Sequence, residues 1–470
     1  MHRLPAARRI EDLPGPRGLP LVGNLFAIPR ATAHRRVEDW CAEFGSLFVI
    51  RVLNRRIVVL ADHERILDVL RDRPDGWSRS SHVRRVGLEM GLKPGLFGSE
   101  GDVWRRQRRM VMSGLDPGRV RAYLPAMQRV TERLARRWSA AAREGRALDL
   151  QAEWMRYTVD TVAGLAFGSD INTLESDGVV IQQHLDRIFP ALYRRVMAPL
   201  PYWRWLKLPA DRALERSVAE VKRSIAGFIA QARERLNAEP ARRAQPPNLL
   251  EAMIVAAEDG QSGIDDEQVS ANVLTMLLAG EDTTANTLAW LLHLLHRHPA
   301  ALARARDEVQ RVVGGDDAPT PEQLAELAWL DACIHETMRL KPVAPFVVVE
   351  ALRETLIGEL LVPARTVLWC VLRHDSLDER HFARPTEFDP ARWLGHGPVG
   401  GARRVAMPFG AGPRVCPGRY LALTEMKIAL VMLLTRFEIQ SVEAPGGGLA
   451  DERMSFTMVP VGLSMRLRER

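Results

Sequence analysis

Residues 409–419 read FGAGPRVCPGR, a glycine- and proline-rich loop with one cysteine that leads into an apolar run typical of a helix. The chain has four cysteines, and Cys416 alone lies at a predicted helix N-terminus with arginines on both sides. The helix dipole and these cations are expected to lower the pKa of its thiol. A thiolate in this setting is either a nucleophile or a metal ligand.

Length and composition are those of a globular protein with a large core. The chain has 470 residues, of which 46% are hydrophobic and 26% charged. Its passages rich in proline and glycine are short, and periodic segments resume directly after each of them. We therefore expect one domain over residues 1–470, although the usual domain length would suggest several.

The sequence also limits the cellular compartment and the kinds of partner that we expect for the protein. No apolar stretch is long enough to span a bilayer and no signal peptide is evident, so we expect no transmembrane anchor and a cytoplasmic location. The widely separated cysteines match no zinc or disulfide framework, which favours a reducing compartment. The net charge is +7, but aromatics are not interleaved with the arginines, so no nucleic-acid partner is expected.

Helical periodicity dominates the middle of the chain, and short strand patterns lie towards its two ends. We predict an α-rich core over about 76–342 and 416–436, with β-rich parts at about 45–62, 343–372 and 436–468. The predicted strands are a hairpin of 47–53 with 57–60, then 346–349, 356–361 and 366–371, and a final pair of 454–458 with 461–467.

The longest predicted helix begins at Asp265, where Gln268 completes a capping-box pattern, and ends at His298 before a proline. Its flanks are apolar nearly all round, which is typical of a buried helix. Its middle, residues 279–284, reads AGEDTT, and carboxylates in a core are costly unless something satisfies them. Either these side chains face a solvated groove, or the helix passes a cavity where protons and a bound molecule are handled.

Two further patterns are weak when taken singly. Glu336 and Arg339 share a helix face and could form a buried network with Arg392, or be only a surface pair. Trp104 and Arg108 also share a face and present only hydrogen-bond donors, which suits a ligand that carries carboxylates. The alternative for that face is an amphipathic helix whose arginines are solvated.

Together these stretches resemble the cytochrome P450 family. The haem-binding signature F-x-x-G-x-R-x-C-x-G fits residues 409–418, and A-G-x-[DE]-T-[TS] fits residues 279–284. E-x-x-R fits residues 336–339, and W-x-x-x-R fits residues 104–108. The resemblance implies a mainly α fold with small β-sheets, in which haem lies between the long central helix and the helix that follows the cysteine loop.

The resemblance also implies roles on the cysteine side of a haem b. Cys416 would be the axial thiolate ligand of the iron, and Phe409 would pack beneath its sulfur. Gly412 and Gly418 would let backbone N–H groups approach that sulfur. The donors to the haem propionates would be Arg414, Arg108 and Trp104.

On the opposite side, Thr283 and Asp282 resemble the acid–alcohol pair that delivers protons during dioxygen activation. Gly280 would leave room for dioxygen beside the helix, and Glu281 is expected to be a neighbour rather than the relay. One position departs from the common pattern. Many members carry an arginine four residues after the second proline of the P-x-x-P turn, where this chain has Val349, so one propionate donor is missing.

The implied activity is that of a monooxygenase, which inserts one atom of O₂ into a lipophilic substrate by hydroxylation or epoxidation. Terpenoids, steroids and fatty acids are the substrate classes considered. The expected pocket walls are residues 78–97, 188–205, 272–279, 343–348 and 456–458. Anchors for a substrate carboxylate could come from four arginines, which are otherwise solvated surface residues: Arg84, Arg85, Arg194 and Arg195.

Since the chain ends soon after its last predicted strands, we expect no fused reductase domain. Electrons from NAD(P)H would then arrive through a separate acidic ferredoxin or flavodoxin. The arginines expected to steer this partner are Arg105, Arg106, Arg109, Arg403, Arg404 and Arg419.

Three rival functions remain at this stage. A haem-thiolate peroxygenase or isomerase shares the fold but often lacks the acid–alcohol pair, and a non-catalytic haem sensor needs no proton relay. A cysteine hydrolase needs a histidine base near Cys416, for which His374 and His381 are candidates in the sequence.

Overall fold

The computed structural model describes residues 8–176, 181–258, 264–315, 318–394 and 399–470. Helices account for most of this part of the chain, and the strands form small sheets. The helices are α1 (Ala33–Phe44), α2 (His63–Arg71), α3 (Ser81–Glu89), α4 (Gly101–Gly114), α5 (Pro117–Ala122), α6 (Leu124–Arg143), α7 (Leu150–Phe167), α8 (Ile181–Leu185), α9 (Ile188–Val196), α10 (Pro209–Ala238), α11 (Ala241–Ala244), α12 (Leu249–Glu258), α13 (Asp266–Arg297), α14 (Pro299–Val312), α15 (Pro321–Glu326), α16 (Ala328–Leu340), α17 (Val399–Val405) and α18 (Arg419–Arg436). The strands are β1 (Leu47–Val52), β2 (Arg55–Leu60), β3 (Trp77–Arg79), β4 (Leu148–Asp149), β5 (Phe346–Ala351), β6 (Thr355–Ile357), β7 (Leu360–Val362), β8 (Val367–Val371), β9 (Phe437–Glu443), β10 (Glu452–Met454), β11 (Met458–Pro460) and β12 (Ser464–Glu469).

Helix α13 crosses the middle of the molecule, as the sequence predicts. Its 32 residues span roughly 48 Å at the α-helical rise. Asp265 is the N-cap and accepts a hydrogen bond from the backbone N–H of Gln268 at 2.7 Å. The Gln268 side chain does not return the bond, because its Oε1 is buried without a partner, so only half of the predicted capping box forms.

The largest sheet has five strands in the order β1-β2-β8-β5-β3. The predicted hairpin of β1 and β2 is present, and β2 continues the sheet by pairing in parallel with β8. The stretch 356–361, predicted as one strand, is instead a tight hairpin of β6 and β7. Gly358 provides its turn with a φ of +57°, a conformation that glycine adopts without strain.

The C-terminal strands pair differently from the prediction. Strand β12 lies between β4 and β9, whereas β10 and β11 form a separate two-stranded sheet. In β12 the alternation of Met465 and Leu467 with exposed residues places one face in the core. Such alternation identifies a strand and its buried face, but it does not identify the partner strand.

The predicted network of Glu336, Arg339 and Arg392 is present and fully buried at its centre. Arg339 holds the Glu336 carboxylate through Nε and Nη2, both at 2.8 Å. Arg392 Nε and Trp393 Nε1 donate to the same carboxylate at 2.9 and 2.8 Å. Arg339 also donates to the carbonyls of Ser376 and Pro385, so the network ties α16 to the irregular segment that precedes the cysteine loop.

In the part of the chain that the structure describes, no helix is both long and apolar enough to cross a membrane.

Candidate active site

A cavity of about 1140 Å³ lies between α13 and the cysteine loop. Cys416 opens onto it from the loop, and Thr283 opens onto it from α13. Trp104 and Arg108 of α4 line the same space. The cavity is slightly larger than the usual range for small-molecule sites, about 300–1,000 Å³, so it can hold a large cofactor together with a substrate.

The backbone of the cysteine loop shapes the surroundings of the sulfur. The Cys416 N–H donates to the Phe409 carbonyl at 2.9 Å, and the Gly418 N–H donates to the sulfur. Burial raises the pKa of the Cys416 thiol, although the Gly418 N–H, Arg108 and Arg419 act in the opposite direction. The Cys416 side chain is itself exposed to the cavity, so the lowering of its pKa expected from the sequence stays a prediction.

The two glycines of the loop have different functions. A Cβ on Gly418 would lie 3.9 Å from the Cys416 sulfur, so this glycine is beside the sulfur, as expected. Gly412 has a φ of +68°, and a Cβ there would lie 2.3 Å from the carbonyl oxygen of Leu70 in α2. Gly412 thus permits close packing of the loop on α2, and its expected role next to the sulfur is not observed.

Arg414 lies at the edge of the cavity next to Trp104. Its guanidinium stacks over the Trp104 ring at 4.6 Å and donates through Nη2 to the Ser99 carbonyl at 2.7 Å. It also forms an ion pair with Glu100. Burial lowers the pKa of Arg414 to about 10, and Glu100 partly offsets this. The Nε atom of Arg414 is buried and has no hydrogen-bond partner.

Arg73 and Arg79 line the cavity without an individual role in the sequence prediction, although Arg79 lies within the predicted wall of residues 78–97. Arg73 is 5% exposed, and its Nε and Nη2 atoms are buried without a partner. Arg79 lies on β3, with its guanidinium 3.3 Å from the centre of the Phe97 ring. No local motif marks either residue. Only the pairing of β3 with β5 brings Arg79 to the cavity.

Thr283 and Asp282 occupy different positions relative to the cavity. The Thr283 hydroxyl donates to the Ala279 carbonyl at 2.8 Å and faces the cavity. Asp282 lies outside the lining residues and is held by the Thr457 hydroxyl and by Asn286 Nδ2, the latter at 3.1 Å. Burial raises the pKa of Asp282 to about 6, although these two hydrogen bonds oppose the shift. Thr457 does line the cavity, and the sequence did not indicate this link.

Glu281 has a carboxyl partner of its own, Asp186 after α8. Burial, together with the charges of Asp186 and Asp282, raises the pKa of Glu281 well above its usual value. Burial also raises the pKa of Asp186 to about 7. Because two such close carboxyl groups cannot both be ionised at low cost, the pair holds a proton near neutral pH.

Gly280 contributes backbone to the cavity wall, but its missing side chain serves a different contact. A Cβ at this position would lie 2.5 Å from Cγ2 of Val162 in α7. The glycine therefore allows α7 to cross α13 closely. Gly280 also lines the cavity, and its expected role of leaving room for dioxygen beside the helix stays a prediction.

The other cavity walls come largely from the predicted stretches, with an addition from the N-terminal part of the chain. Phe26, Ile28 and Arg30 also line the cavity, and their sequence carries no signal for it. Arg84 and Arg85 line it as well. Arg194 and Arg195 do not serve as anchors, because both pair with the buried Asp211, Arg195 at 2.9 Å.

Histidine is a poor candidate for a base at this site. One histidine, His82, is found among the described residues that line the cavity. Its Nε2 lies 3.1 Å from the carbonyl oxygen of Val196. His381 instead packs edge-on against His63, with ring centres 4.7 Å apart. The arrangement does not favour a cysteine nucleophile.

The family of the chain follows from comparison with known proteins. The sequence model of the family "Cytochrome P450" matches residues 13–466. Cyclooctat-9-en-7-ol 5-monooxygenase of Streptomyces melanosporofaciens is 29% identical over 433 residues, which cover 91% of this chain and 89% of the relative. The chloroplastic carotene epsilon-monooxygenase of Arabidopsis thaliana is 28% identical over 447 residues, covering 90% of this chain and 78% of the relative.

A solved structure shows the same fold. The crystal structure of the cytochrome P450DA heme domain matches with a TM-score of 0.84 at 24% identity, covering 99% of this chain and 98% of that one. The chain belongs to the cytochrome P450 family. It is a monooxygenase of that family, whose cofactor is haem.

The residues present fit this cofactor. Cys416 offers a sulfur atom that faces the cavity, and a soft thiolate is a suitable iron ligand. The unpartnered buried Nε of Arg414 and the donor-only side chains of Arg108 and Trp104 lie on one edge of the cavity. Carboxylates such as the haem propionates would satisfy these donors.

Proposed function

We propose that this P450 inserts one atom of O₂ into a lipophilic organic substrate, by hydroxylation or epoxidation. The observation that carries the proposal is that the Cys416 sulfur and the Thr283 hydroxyl open onto one cavity, with Asp282 linked to that cavity through Thr457. A haem ligated through Cys416 would supply the redox chemistry that activates dioxygen. The residues that hold it are Cys416, Arg414, Arg108 and Trp104, with Phe409 supporting the loop and Gly280 part of the cavity wall.

In this proposal Asp282 and Thr283 move the protons. A carboxyl group with a pKa of about 6 exchanges protons with water near neutral pH, as a general acid requires. Asn286 and Thr457 fix its orientation. Thr283 presents a hydroxyl oxygen that can accept a hydrogen bond from the cavity, and its one O–H can donate there once it rotates away from the Ala279 carbonyl. The presence of this pair favours dioxygen activation over the peroxygenase or isomerase alternatives and over a haem sensor.

The shape and chemistry of the cavity support a lipophilic substrate. Phe456 stacks on Phe189 with ring centres 4.6 Å apart and meets Phe97 edge-on at 6.1 Å. These rings and the surrounding aliphatic side chains make the lining mainly apolar, and charged groups such as Arg30, Arg84 and Arg85 are added to it. Two relatives are named for a carotene and for cyclooctat-9-en-7-ol, so terpenoids are the class to test first, beside steroids and fatty acids.

The experiment that tests the proposal combines binding with isotope labelling. Substrates are first selected by the spin-state shift that they produce on binding. Turnover under ¹⁸O₂ with NAD(P)H, a ferredoxin and its reductase should then place one ¹⁸O atom in the product. Product that forms only with peroxide, rearranged product without ¹⁸O, or no product from any ligand that causes the shift would contradict the proposal.

We further propose that a separate acidic ferredoxin or flavodoxin donates the electrons. Three exposed arginines lie on helices around the cysteine loop: Arg109 on α4, Arg403 on α17 and Arg419 at the start of α18. Arg105 and Arg404 are partly neutralised, since Arg105 pairs with Asp102 at 2.7 Å and Arg404 with Glu64 at 3.6 Å. Long-range attraction between unlike charges raises association rates most at low salt.

This partner surface is tested by replacing Arg109, Arg403 and Arg419 together with glutamine. Haem reduction by an acidic ferredoxin should slow at low ionic strength and approach the wild-type rate at high ionic strength. The control replaces three exposed arginines of α10, Arg212, Arg216 and Arg223, which changes the net charge equally. An equal effect of both triple variants, or no effect of the first, would reject the surface.

Two further proposals concern the whole chain. The family match over residues 13–466 supports one P450 domain for the chain. All four cysteines carry free thiols, which supports a reducing compartment such as the cytoplasm.

A further inference from the structure

Four guanidinium groups lie together in the cavity wall, and among the described residues one carboxylate acts on them. Arg73, Arg79, Arg108 and Arg414 all line the cavity. Glu100 is the carboxylate that acts on three of them, and Arg414 already forms an ion pair with it. Cationic groups packed this closely are unfavourable without further negative charge. The excess of positive charge therefore indicates that an anion belongs at this part of the cavity.

Arg79 occupies a position that the strand register relates directly to Val349. In the antiparallel pair of β3 and β5, Arg79 lies opposite Val349. Side chains of directly opposed residues in such a pair project from the same face, with Cβ atoms about 5 Å apart. Val349 itself is fully buried in the apolar cluster beside the sheet. An arginine on β3 therefore projects from the face on which many family members carry one on β5.

The contacts of Arg79 leave most of its donors available. Its Nε donates to the Phe97 carbonyl, and the ring of Phe97 supports the guanidinium plane. Among the described residues its two Nη atoms have no hydrogen-bond partner. Burial lowers the pKa of Arg79, and the neighbouring charges of Arg73 and Arg414 lower it further. The side chain is thus held in place, and the carboxylate that acts on it, Glu100, already pairs with Arg414.

Arg73 independently indicates that negative charge is missing at this part of the cavity. Arg73 is only 5% exposed and lines the cavity. Its buried Nε and Nη2 atoms have no hydrogen-bond partner. A buried guanidinium without acceptors costs free energy that folding alone does not recover. An anion in the cavity would satisfy both Arg73 and Arg79.

We propose that Arg79, supported by Arg73, binds a haem propionate and replaces the arginine that the family pattern places at position 349. The inference rests on the proposed haem site. A substrate carboxylate has the same chemistry, but the neighbouring Trp104, Arg108 and Arg414 favour the propionate. Arg73, Arg79 and Arg108 are close enough to Arg414 for their charges to act on one another, and Arg414 stacks on Trp104. Phe97, which supports Arg79, also meets Phe456 edge-on at 6.1 Å, so the test includes a fatty acid to distinguish a substrate carboxylate from a propionate.

The test measures how fast haem leaves the purified ferric holoenzyme for excess apomyoglobin. Loss of a charge-assisted hydrogen bond should make haem transfer about 10- to 100-fold faster in Arg79→Gln. Arg79→Lys keeps the charge and should stay within a few-fold of the wild type. Arg71→Gln is the matched control, because Arg71 is a nearby arginine with a 60% exposed side chain that pairs with Asp68.

A second variant and a second measurement keep the inference open to rejection. Arg73→Gln leaves the pairing of β3 with β5 intact and should also accelerate haem transfer if Arg79→Gln fails to fold. Wild-type transfer rates in the glutamine variants would overturn the inference, and so would selective loss of the spin-state shift caused by a fatty acid. If the wild-type protein bound no haem, the proposed function would fail instead, so the two failures are distinguishable.

Discussion

At the scale of single residues, Thr283 illustrates how a helix can present a hydroxyl to a cavity. Its Oγ1 bonds back to the Ala279 carbonyl, which fixes the rotamer and points the oxygen lone pairs into the cavity. Thr275, two turns earlier, makes the same bond to Ala271 at 2.8 Å and also lines the cavity. The two threonines are therefore alike in local geometry and differ in their distance along α13 from Asp282.

We predict that Thr283→Ala uncouples oxygen consumption from product formation. Without the hydroxyl, protons reach the reacting oxygen by a disordered route, so reduced oxygen is released as peroxide or water. Product per NAD(P)H consumed should fall by about tenfold or more, since a positioned proton-transfer group typically contributes about 10²- to 10⁴-fold to a rate. Thr275→Ala should remain close to wild type. Equal losses in both variants would mean that Thr283 has no special part in proton delivery.

Asp282 predicts a particular pH dependence. Its pKa is raised to about 6 by burial, so its protonated fraction falls as the pH rises through that value. If it acts as the acid, the rate of coupled turnover should decline above about pH 6 in the wild type. Asp282→Asn should be at least about tenfold slower and should lack this decline.

Glu281→Gln is the matched control for that pH profile. We expect it to keep the decline near pH 6, because Glu281 shares its proton with Asp186 rather than with the cavity. If the decline above about pH 6 persisted in Asp282→Asn and disappeared in Glu281→Gln, Glu281 rather than Asp282 would be the proton donor.

The residues that the sequence could identify are those within local motifs. Cys416, Arg414, Trp104 and Thr283 lie in short patterns whose spacing implies their chemistry. Arg73 and Arg79 lie outside any pattern, since the pairing of distant strands brings Arg79 to the cavity. The sequence shows the charges near Cys416 but not the cavity onto which its sulfur opens.

At the scale of secondary-structure elements, the crossing of α7 and α13 holds the cavity wall in place. Gly280 permits that crossing, because the Cβ of any other residue would lie within 2.5 Å of Val162 Cγ2. The side chain that would have to move belongs to a β-branched residue on a helix, which has little rotamer freedom. The contact therefore resists even one added methyl group.

We predict that Gly280→Ala destabilises the protein by about 1–3 kcal/mol through overpacking. The loss should be measurable by thermal or urea unfolding, and Val162→Ala in the same chain should recover part of it. Gly227 in α10 has open space around its Cβ position, so Gly227→Ala should instead stabilise by up to about 1 kcal/mol. Stabilisation by Gly280→Ala would contradict the packing argument.

The elements themselves were predictable to different degrees. Helix α13 carries both a long apolar period and a capping residue, so its bounds agree closely with the prediction. The C-terminal strands carry only alternation, which leaves their partners open, and β12 pairs with β9 rather than with the strand before it. Two adjacent short strands were read as one because Gly358 and Glu359 are too few residues to break the apolar run visibly.

At the scale of the whole molecule, Glu452 joins the two ends of the chain. His34 Nε2 lies 2.9 Å from Oε2 of Glu452, and Arg373 Nη1 and Lys341 Nζ lie 2.9 and 2.5 Å from Oε1. Burial disfavours the ionised form, but His34, Arg373 and Lys341 more than offset it and hold the pKa of Glu452 well below its usual range. The ionised carboxylate therefore stabilises the folded state.

We predict that Glu452→Gln lowers the free energy of unfolding by about 3–5 kcal/mol at neutral pH, since it leaves buried cations without their partner. The depressed pKa means that the stabilisation is present above the unfolded value of about 4.3 and is lost as the pH falls below it. Urea unfolding should thus show the difference between wild type and variant shrinking from about pH 5 towards pH 3. Glu438→Gln, which removes an exposed pair with Arg468, should change stability little at any pH. A difference that grows on acidification would contradict the assignment.

The central claim, that Cys416 is the axial ligand of a haem, is tested most directly by the spectrum of the reduced protein with carbon monoxide. The wild type should show the strongly red-shifted Soret band that requires thiolate ligation. Cys416→His should still bind haem through the surrounding arginines but should lose that shift. A wild-type spectrum without the shift, or an unchanged shift in Cys416→His, would contradict the account.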